Sequence, residues 1–356
     1  MAVARLSRPW TLSIRAALAL GVLICAGGPW LFDLNQLTLL TEFFTLLVLA
    51  LMWNLLAGYA DIITVGQHAF VGVGAYAFFG LTVLGQMHPA LAIAGAALIT
   101  LILAALTMVP LFRLRRAYLA VGTWVAAEVL ALIAGKLPGF GGGSGVSLPI
   151  PIVKAFGATL TTRITVIYAL SFGLALATFL LTWMLLRSRV GLGLTAMRDN
   201  EEAAGSAGVN LDLLRALSFL WTAPFLGLAG ALVTLEKLRV APQASFSITD
   251  WTIFIIFIVV IGGIGSLEGP LIGTLLFVLL RDYLAGFGTW YLILLGVVSI
   301  AVILTEPRGL WGLIRRLGMG EVVPVSHRPG QPAHAPSAAA GGRHRAHQNE
   351  MQSSQG

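Results

Sequence analysis

Apolar runs of roughly 20 residues recur along this chain, and an α-helix of that length crosses the hydrocarbon core of a bilayer. Hydrophobic residues occupy 58% of the 356 positions and charged residues only 10%, against roughly 25% charged in soluble domains. A soluble protein of this length cannot bury so much apolar surface in one core. The sequence therefore predicts an all-α polytopic membrane protein.

The apolar runs predict about eight to ten transmembrane helices, with a broken or re-entrant segment near residues 262–270. That segment separates either two short spans or the two arms of a hairpin, and both interpretations leave the termini on the same side of the membrane. The first run is interpreted as a retained span rather than a cleaved signal peptide. The predicted spans are 16–34, 37–57, 66–87, 89–112, 117–135, 164–186, 215–235, 251–264, 269–285 and 289–305.

The Lys and Arg residues orient these spans. The net charge is +7, but the basic residues stand in short clusters between apolar runs, which indicates a positive-inside arrangement rather than a nucleic-acid surface. With both termini in the cytoplasm, most of the 22 Lys and Arg lie on the cytoplasmic side of a bacterial inner membrane. The predicted cytoplasmic segments are 1–15, 58–65, 113–116, 187–214, 265–268 and 306–356. The basic residues left outside are Lys136, Lys154, Arg163, Lys237, Arg239 and Arg281.

Three regions follow one another along the chain: a cytoplasmic N-terminus at 1–15, a transmembrane domain at 16–317 and a cytoplasmic tail at 318–356. The tail is predicted to be disordered because Pro, Gly, Ser, Gln and His replace its apolar runs. Its histidines are too irregularly spaced to indicate a metal site. Cys25 is the only cysteine, which excludes a disulfide within the chain. No metal site is predicted.

The sequence lacks the machinery of an enzyme. It contains no G-x-x-x-x-G-K-[ST] loop of the kind that cradles the phosphates of ATP, so the chain is not expected to hydrolyse ATP itself. Paired carboxylates and Ser–His constellations are also missing from the spans, and no catalytic residue is predicted. His68 and Glu128 are the ionisable residues expected well inside spans, with a structural hydrogen bond as the favoured role of His68.

A glycine cluster interrupts one of the apolar runs. The sequence GGIGS at 262–266 is followed by Gly269 and Pro270, and irregular backbone at membrane depth persists only where protein or a water-filled cavity covers it. Broken helices of this kind are typical of transporters. The residues predicted to line a translocation path or its gate are Gln67, His68, Glu128, Gly262, Gly263, Gly265 and Ser266.

The longest predicted cytoplasmic loop, 187–214, contains the signals of a short helix. Asp199 or Asn200 can cap it, and the helix dipole favours Glu201 and Glu202 in the first turn. An alanine pair then presents a small surface before a glycine ends the helix; these residues are Ala203, Ala204 and Gly208. Such a helix suits docking into a groove of another protein, and it equally suits resting on lipid headgroups.

A family resemblance favours docking. The stretch EEAAGSAG at 201–208 resembles the EAA-type coupling loop of ABC importer permeases. Further blocks resemble the LivM-type permeases of branched-chain amino acid importers, in the order of that family, from about residue 37 to 316. These blocks are NLLAGY at 54–59, VGQHAFVGVGAY at 65–76, RLRRAYLAVGT at 113–123, MRDN at 197–200, AGA at 229–231, VIGGIGSLEGP at 260–270 and TEPRGL at 305–310.

The resemblance implies a permease subunit that moves leucine, isoleucine and valine across the membrane. Two ATPase subunits would bind ATP and grip loop 187–214, so that this chain itself carries no cofactor. A second, homologous permease would complete the path, and an extracytoplasmic amino-acid-binding protein would dock near 136–163 and 236–250. The residues that the resemblance assigns to ATPase coupling are Arg198, Asp199, Glu201, Glu202, Ala203, Ala204 and Gly208.

The chain departs from the family at two positions, since family members often carry glycine where this chain has Asp61 and Arg116. Two other functions stay open at this stage. A related permease architecture serves urea or short amides, and an ATP-independent channel or secondary transporter would need no coupling loop.

Overall fold

Long helices dominate the computed structural model, which describes residues 20–114, 117–284, 286, 290–306 and 309–316. The predicted N-terminal segment 1–15, the predicted tail 318–356 and Arg116 lie outside the described residues. The helices are α1 (Gly28–Leu31), α2 (Leu34–Tyr59), α3 (His68–Phe79), α4 (Pro89–Leu111), α5 (Ala117–Ala134), α6 (Ile150–Ala155), α7 (Leu160–Arg187), α8 (Arg189–Asp199), α9 (Glu201–Ser206), α10 (Leu211–Lys237), α11 (Pro242–Ser245), α12 (Phe254–Gly262), α13 (Gly269–Leu284), α14 (Trp290–Thr305) and α15 (Gly309–Arg316).

Short irregular elements join these helices. A π-helical turn, Gly80–Leu84, extends α3, and a second one, Thr249–Ile253, leads into α12. A 3₁₀ turn covers Gly142–Ser144. Two-residue strands β1 (Val146–Ser147) and β2 (Arg239–Val240) pair antiparallel, which ties the segment before α6 to the segment after α10.

Six stretches of the described chain are long and apolar enough to cross a membrane, namely α2, α4, α5, α7, α10 and Pro242–Gly262. The all-α polytopic class is thereby confirmed. The apolar stretch His68–Leu84 is shorter, and α13 and α14 have 16 residues each, so the total of eight to ten spans stays a prediction. The first predicted span is not one continuous helix in its described part, because a turn at Gly27 precedes α1.

Capping side chains explain where the spans begin. The Asp33 carboxylate accepts the Gln36 N–H at 2.8 Å, and the Gln36 side chain accepts the Asp33 N–H in return, so α2 starts three residues before its predicted boundary. The Thr159 hydroxyl accepts the Thr162 N–H at 3.2 Å and sets the start of α7 at Leu160. These polar side chains stand outside the apolar runs, which is why hydrophobicity alone placed both boundaries late.

The helices divide into a buried centre and an apolar periphery. In α2, 78% of the most apolar window is buried inside the protein, and in α10 the share is 61%. In α4 and α5 it is only 22% each, and in α7 it is 28%. The two central helices therefore face protein on most sides, whereas the outer three leave apolar side chains for lipid or for another protein.

Glycines set the distance between α3 and α10. A Cβ atom at Gly74 would lie 2.2 Å from the carbonyl oxygen of Gly227, and one at Gly230 would lie 2.0 Å from the carbonyl oxygen of Val71. Such close approach of backbones is how helices gain packing energy where hydrophobicity cannot drive them together. These two helices accordingly have no room for a larger residue at either position.

We expect Gly230→Ala to lower the free energy of unfolding by about 1–3 kcal/mol, because the backbones of α3 and α10 must separate to admit the methyl group. The matched control is Gly173→Ala in α7, where a Cβ atom meets nothing within 4 Å and helix propensity favours alanine by about 1 kcal/mol. Thermal unfolding of the purified protein in detergent compares the two. Equal midpoints for the two variants would contradict the packing argument.

Candidate functional site

The interruption at 263–268 is the tip of a tight helical hairpin. Helix α12 ends at Gly262, Gly263 and Gly265 take φ values of 125° and 73°, and α13 begins at Gly269. A Cβ atom at Gly262 would lie 2.1 Å from the carbonyl oxygen of Gly269, and one at Gly273 would lie 2.0 Å from that of Ile258. The predicted break is confirmed, and its positive φ angles require glycine.

Side chains satisfy the backbone of this hairpin tip. The Gly265 N–H donates to Asn54 Oδ1 at 2.8 Å, and Asn54 Nδ2 donates to the carbonyl of Ser266 at 2.8 Å. The Ser266 hydroxyl donates to the carbonyl of Gly263 at 2.8 Å and accepts the Gly269 N–H at 3.1 Å. Asn54 is only 1% exposed. The tip is therefore held to the middle of the protein by a buried amide of α2.

Arg198 connects the hairpin tip to the predicted coupling segment. Its Nη1 donates to the carbonyl of Gly265 at 3.1 Å, and its guanidinium lies 5.4 Å from the centre of the Tyr59 ring. Its Nη2 pairs with Asp199 at 3.3 Å. Arg198 stands in the last turn of α8, directly before the residues that form α9. The family resemblance assigned Arg198 to ATPase coupling but did not reveal its contacts with Gly265 and Tyr59.

Two further backbones close around the tip. A Cβ atom at Gly58, near the end of α2, would lie 2.6 Å from the nitrogen of Gly265. At the start of α15, a Cβ atom on Gly309 would lie 2.7 Å from the Cα of Gly263. At the other end of α13, Arg281 forms an ion pair with Glu42 of α2. Helix α2 thus holds both ends of α13.

The short helix predicted in the loop 187–214 is confirmed as α9. Asn200 is its N-cap and accepts the Ala203 N–H at 2.9 Å. Glu201 and Glu202 occupy the first turn, and Gly208 takes a φ of 85° just after the C-cap, as its role as a stop requires. Beside the helix lies an open groove lined by Asn200, Glu201, Glu202, Gly205, Ser206 and Leu211.

The structure corrects the predicted surface of α9. Ala204 is buried, at 4% exposure, so it packs against its own chain rather than presenting a surface with Ala203. Glu201 forms an ion pair with Arg215 of α10 at 2.8 Å, which fixes α9 against α10. The apolar spacing could not reveal this, because a six-residue helix turns too few times to define a face. Glu202 and Ala203 are the exposed members of the predicted set in this helix.

The remaining predicted path residues form a second group, at the opposite end of α12. His68 is fully buried, and its Nδ1 lies 3.0 Å from Thr252 Oγ1 in the turn that leads into α12. Its Nε2 lies 3.8 Å from Glu128 Oε1, and that carboxylate accepts the indole N–H of Trp124 at 3.2 Å. The structural hydrogen bond expected of His68 is present, and the path residues fall into two groups rather than one.

Sequence reasoning missed Asn54, Thr252 and Arg215. A signal existed for Asn54, because an amide inside the last turns of a strongly apolar helix must find a polar partner within the protein. Nothing in the local sequence indicated that the partner lies 211 residues away. Among the described residues, no three His, Cys, Asp or Glu side chains lie together in a way that would hold a metal ion.

A bundle of membrane-length helices, a broken helix held at its tip and a capped helix beside it define a multi-pass membrane permease. The family model described as "Branched-chain amino acid transport system / permease component" matches residues 35–303. The chain belongs to this family, as the resemblance predicted.

Named relatives agree with that family. The chain is 24% identical to the "High-affinity branched-chain amino acid transport system permease protein LivM" of Salmonella typhimurium, covering 83% of this chain and 74% of the relative. The protein of the same name from Escherichia coli is 25% identical, over 85% of this chain and 76% of its own length. The "Probable branched-chain amino acid transport permease protein LivM" of Methanocaldococcus jannaschii is 26% identical, over 62% of this chain and 67% of the relative. No solved structure matches the chain.

We expect Asn54→Ala to lower the free energy of unfolding by about 1–3 kcal/mol for each backbone group of the tip that it leaves unpaired. Asn54→Asp keeps the acceptor for the Gly265 N–H but sets a carboxylate against the carbonyl of Ser266, so it should destabilise at least as much. Thermal unfolding in detergent measures both. A midpoint for Asn54→Ala within error of the parent protein would contradict this account of the tip.

Proposed function

We propose that this chain is the permease subunit of an ABC importer for leucine, isoleucine and valine. It lies in a bacterial inner membrane with both termini in the cytoplasm, and two separate ATPase subunits bind and hydrolyse the ATP. The names of the relatives supply the substrate class. The observation that carries the mechanism is the bond from Arg198 to the hairpin tip.

The ATPase subunits dock on α9 and the groove beside it. The exposed carboxylate of Glu202 and the small side chain of Ala203 face outward, while Ala204 and the Glu201–Arg215 ion pair seat the helix on its own chain. Because α9 is anchored to its own chain on one side and exposed on the other, it moves together with α8 and α10 when an ATPase subunit binds its exposed side. The coupling role is therefore divided between an outward contact, Glu202, and inward anchors.

Arg198 passes that motion to the hairpin tip. It sits between α9 and the tip, and its hydrogen bond to the Gly265 carbonyl and its contact with the Tyr59 ring depend on the position of α8. A displacement of α8 and α9 by the ATPase subunits changes these contacts, which biases the tip between two arrangements. The tip is the gate of the proposed mechanism.

A second, homologous permease completes the path, and an extracytoplasmic amino-acid-binding protein delivers the substrate. The predicted docking loops near 136–163 and 236–250 are joined by the β1–β2 pair, with Val146 opposite Val240, and Arg239 donates to the carbonyl of Ser144. The two loops therefore offer one connected surface. That surface suits a single partner at the extracytoplasmic end of the protein.

The docking role is tested by leucine uptake in cells that express the complete system. We expect Glu202→Lys to abolish uptake and retention of the ATPase subunits on the purified permease, because it reverses the charge of the exposed first turn. The matched control is Asp282→Lys, which reverses an exposed carboxylate on α13. Uptake by Glu202→Lys at the control rate would remove α9 from the mechanism, and no leucine uptake by the assembled parent complex would reject the substrate class.

The gating role predicts uncoupling. In Arg198→Met the apolar stem remains over Tyr59 but the hydrogen bond to Gly265 is lost, and bonds to charged groups contribute about 1.5–3 kcal/mol. We expect leucine uptake to fall about tenfold or more while ATP hydrolysis by the complex continues.

The comparison variant is Arg189→Met, which removes an exposed arginine from the first turn of the same helix. It should leave both leucine uptake and ATP hydrolysis unchanged. Proportional loss of uptake and hydrolysis in Arg198→Met would assign Arg198 to docking instead of gating.

A further inference from the structure

An ionisable side chain stands on the outer surface of a peripheral span. Glu128 lies on α5, roughly 16 Å along the helix from its first residue and roughly 9 Å from its last. Its side chain is 50% exposed, and α5 is among the least buried spans of the described chain. A carboxylate at this depth faces the interior of an assembly or a water-filled cavity rather than lipid. The Glu128 side of α5 therefore lines water or a partner subunit.

The carboxylate is held in place rather than free to fold back. The Trp124 indole N–H, one turn earlier, donates to Glu128 Oε1 at 3.2 Å. This bond orients the carboxylate and sets the half-exposed Trp124 ring beside it. An indole face next to a carboxylate attracts a cation through its quadrupole as well as through the charge. Glu128 and Trp124 together present an oriented acceptor for a positively charged group.

Buried polar atoms behind this pair have spare hydrogen-bonding capacity. His68 is 0% exposed, and its Nε2 lies 3.8 Å from Glu128 Oε1 without a hydrogen-bond partner among the described residues. Gln67, the next residue, is 1% exposed, and neither of its side-chain amide atoms is hydrogen-bonded within that part of the chain. Gln67 lines a small cavity with Thr64 and Thr123. Buried polar groups are normally satisfied, so these atoms point to a polar ligand.

We propose that Glu128, oriented by Trp124 and backed by His68, binds the primary ammonium group of the amino acid during translocation. The inference rests on the proposed function and names the substrate group that this chain recognises. An ammonium offers three donors to a carboxylate, and its charge offsets the cost of holding that carboxylate at membrane depth. Urea and short amides carry no such charge, so the site distinguishes an amino acid from those substrates.

The first test measures whether the site is open to water. In a Cys25→Ala background, Glu128→Cys in the assembled transporter should react with a membrane-impermeant cationic thiol reagent. Leucine delivered by the binding protein should slow that reaction. Ile133→Cys is also exposed but lies about 140° around α5 from Glu128, so it should stay unlabelled because it faces lipid. Labelling of Ile133→Cys but not of Glu128→Cys, or labelling that leucine does not slow, would overturn the proposal.

The second test measures transport and ATP hydrolysis in the reconstituted complex. Glu128→Gln keeps the shape of the side chain and an acceptor for Trp124, so a purely structural role should survive it. We expect leucine uptake to fall about tenfold or more while ATP hydrolysis stimulated by the binding protein persists. Glu128→Asp, which restores the charge, should recover uptake.

The outcomes separate this inference from the proposed function. Leucine uptake by the parent complex together with unchanged uptake by Glu128→Gln overturns the ammonium site and leaves the importer intact. Equal loss of uptake and of complex assembly in Glu128→Gln and Glu128→Asp also overturns it, in favour of a structural role. No leucine uptake by the assembled parent complex rejects the importer function itself.

Discussion

The backbone of the hairpin tip must be hydrogen-bonded inside the protein, and the arrangement around it follows from that requirement. A buried N–H or carbonyl that is left without a hydrogen-bond partner costs about 1–3 kcal/mol. Asn54 meets the requirement with a donor and an acceptor on one side chain, which explains an amide near the C-terminal end of a strongly apolar helix. Because Asn54 belongs to the most buried of the described spans, the tip is bonded to the central helix of the protein.

The contacts of the tip differ in how easily they can be exchanged. Asn54 is 1% exposed, and water cannot replace its bonds without entering the core. The Arg198 side chain is 39% exposed, so water can replace it at the Gly265 carbonyl more easily than it can replace the buried Asn54 bonds. Gly58 and Gly309 approach the tip too closely for any side chain. Motion at this site therefore breaks the Arg198 contact first and leaves the rest of the tip in place.

Local signals in the sequence were enough to place the six membrane-length helical stretches and the break, but not α8. Apolar length predicted the spans, the glycines at 262–266 predicted the interruption, and Asn200 with Gly208 predicted α9. Contacts between distant segments were not predictable, because burial of Ala204 and the partner of Arg198 depend on how α8 and α9 fold against α2 and α10. Asp61 was partly predictable, because the sequence showed that family members often carry glycine at this position. Its φ of 51° explains that preference, but the sequence could not show the angle.

Helix α12 joins the two groups of functional residues. Its C-terminal end is the hairpin tip, and the turn before its N-terminal end carries Thr252, which lies 3.0 Å from His68. Nine residues span roughly 14 Å, a distance over which a helix moves as a rigid body. The turn that contains Thr252 is π-helical, a form that often marks functional positions. If α12 moves together with the tip, the movement displaces Thr252 against His68. His68 in turn lies beside the carboxylate of Glu128.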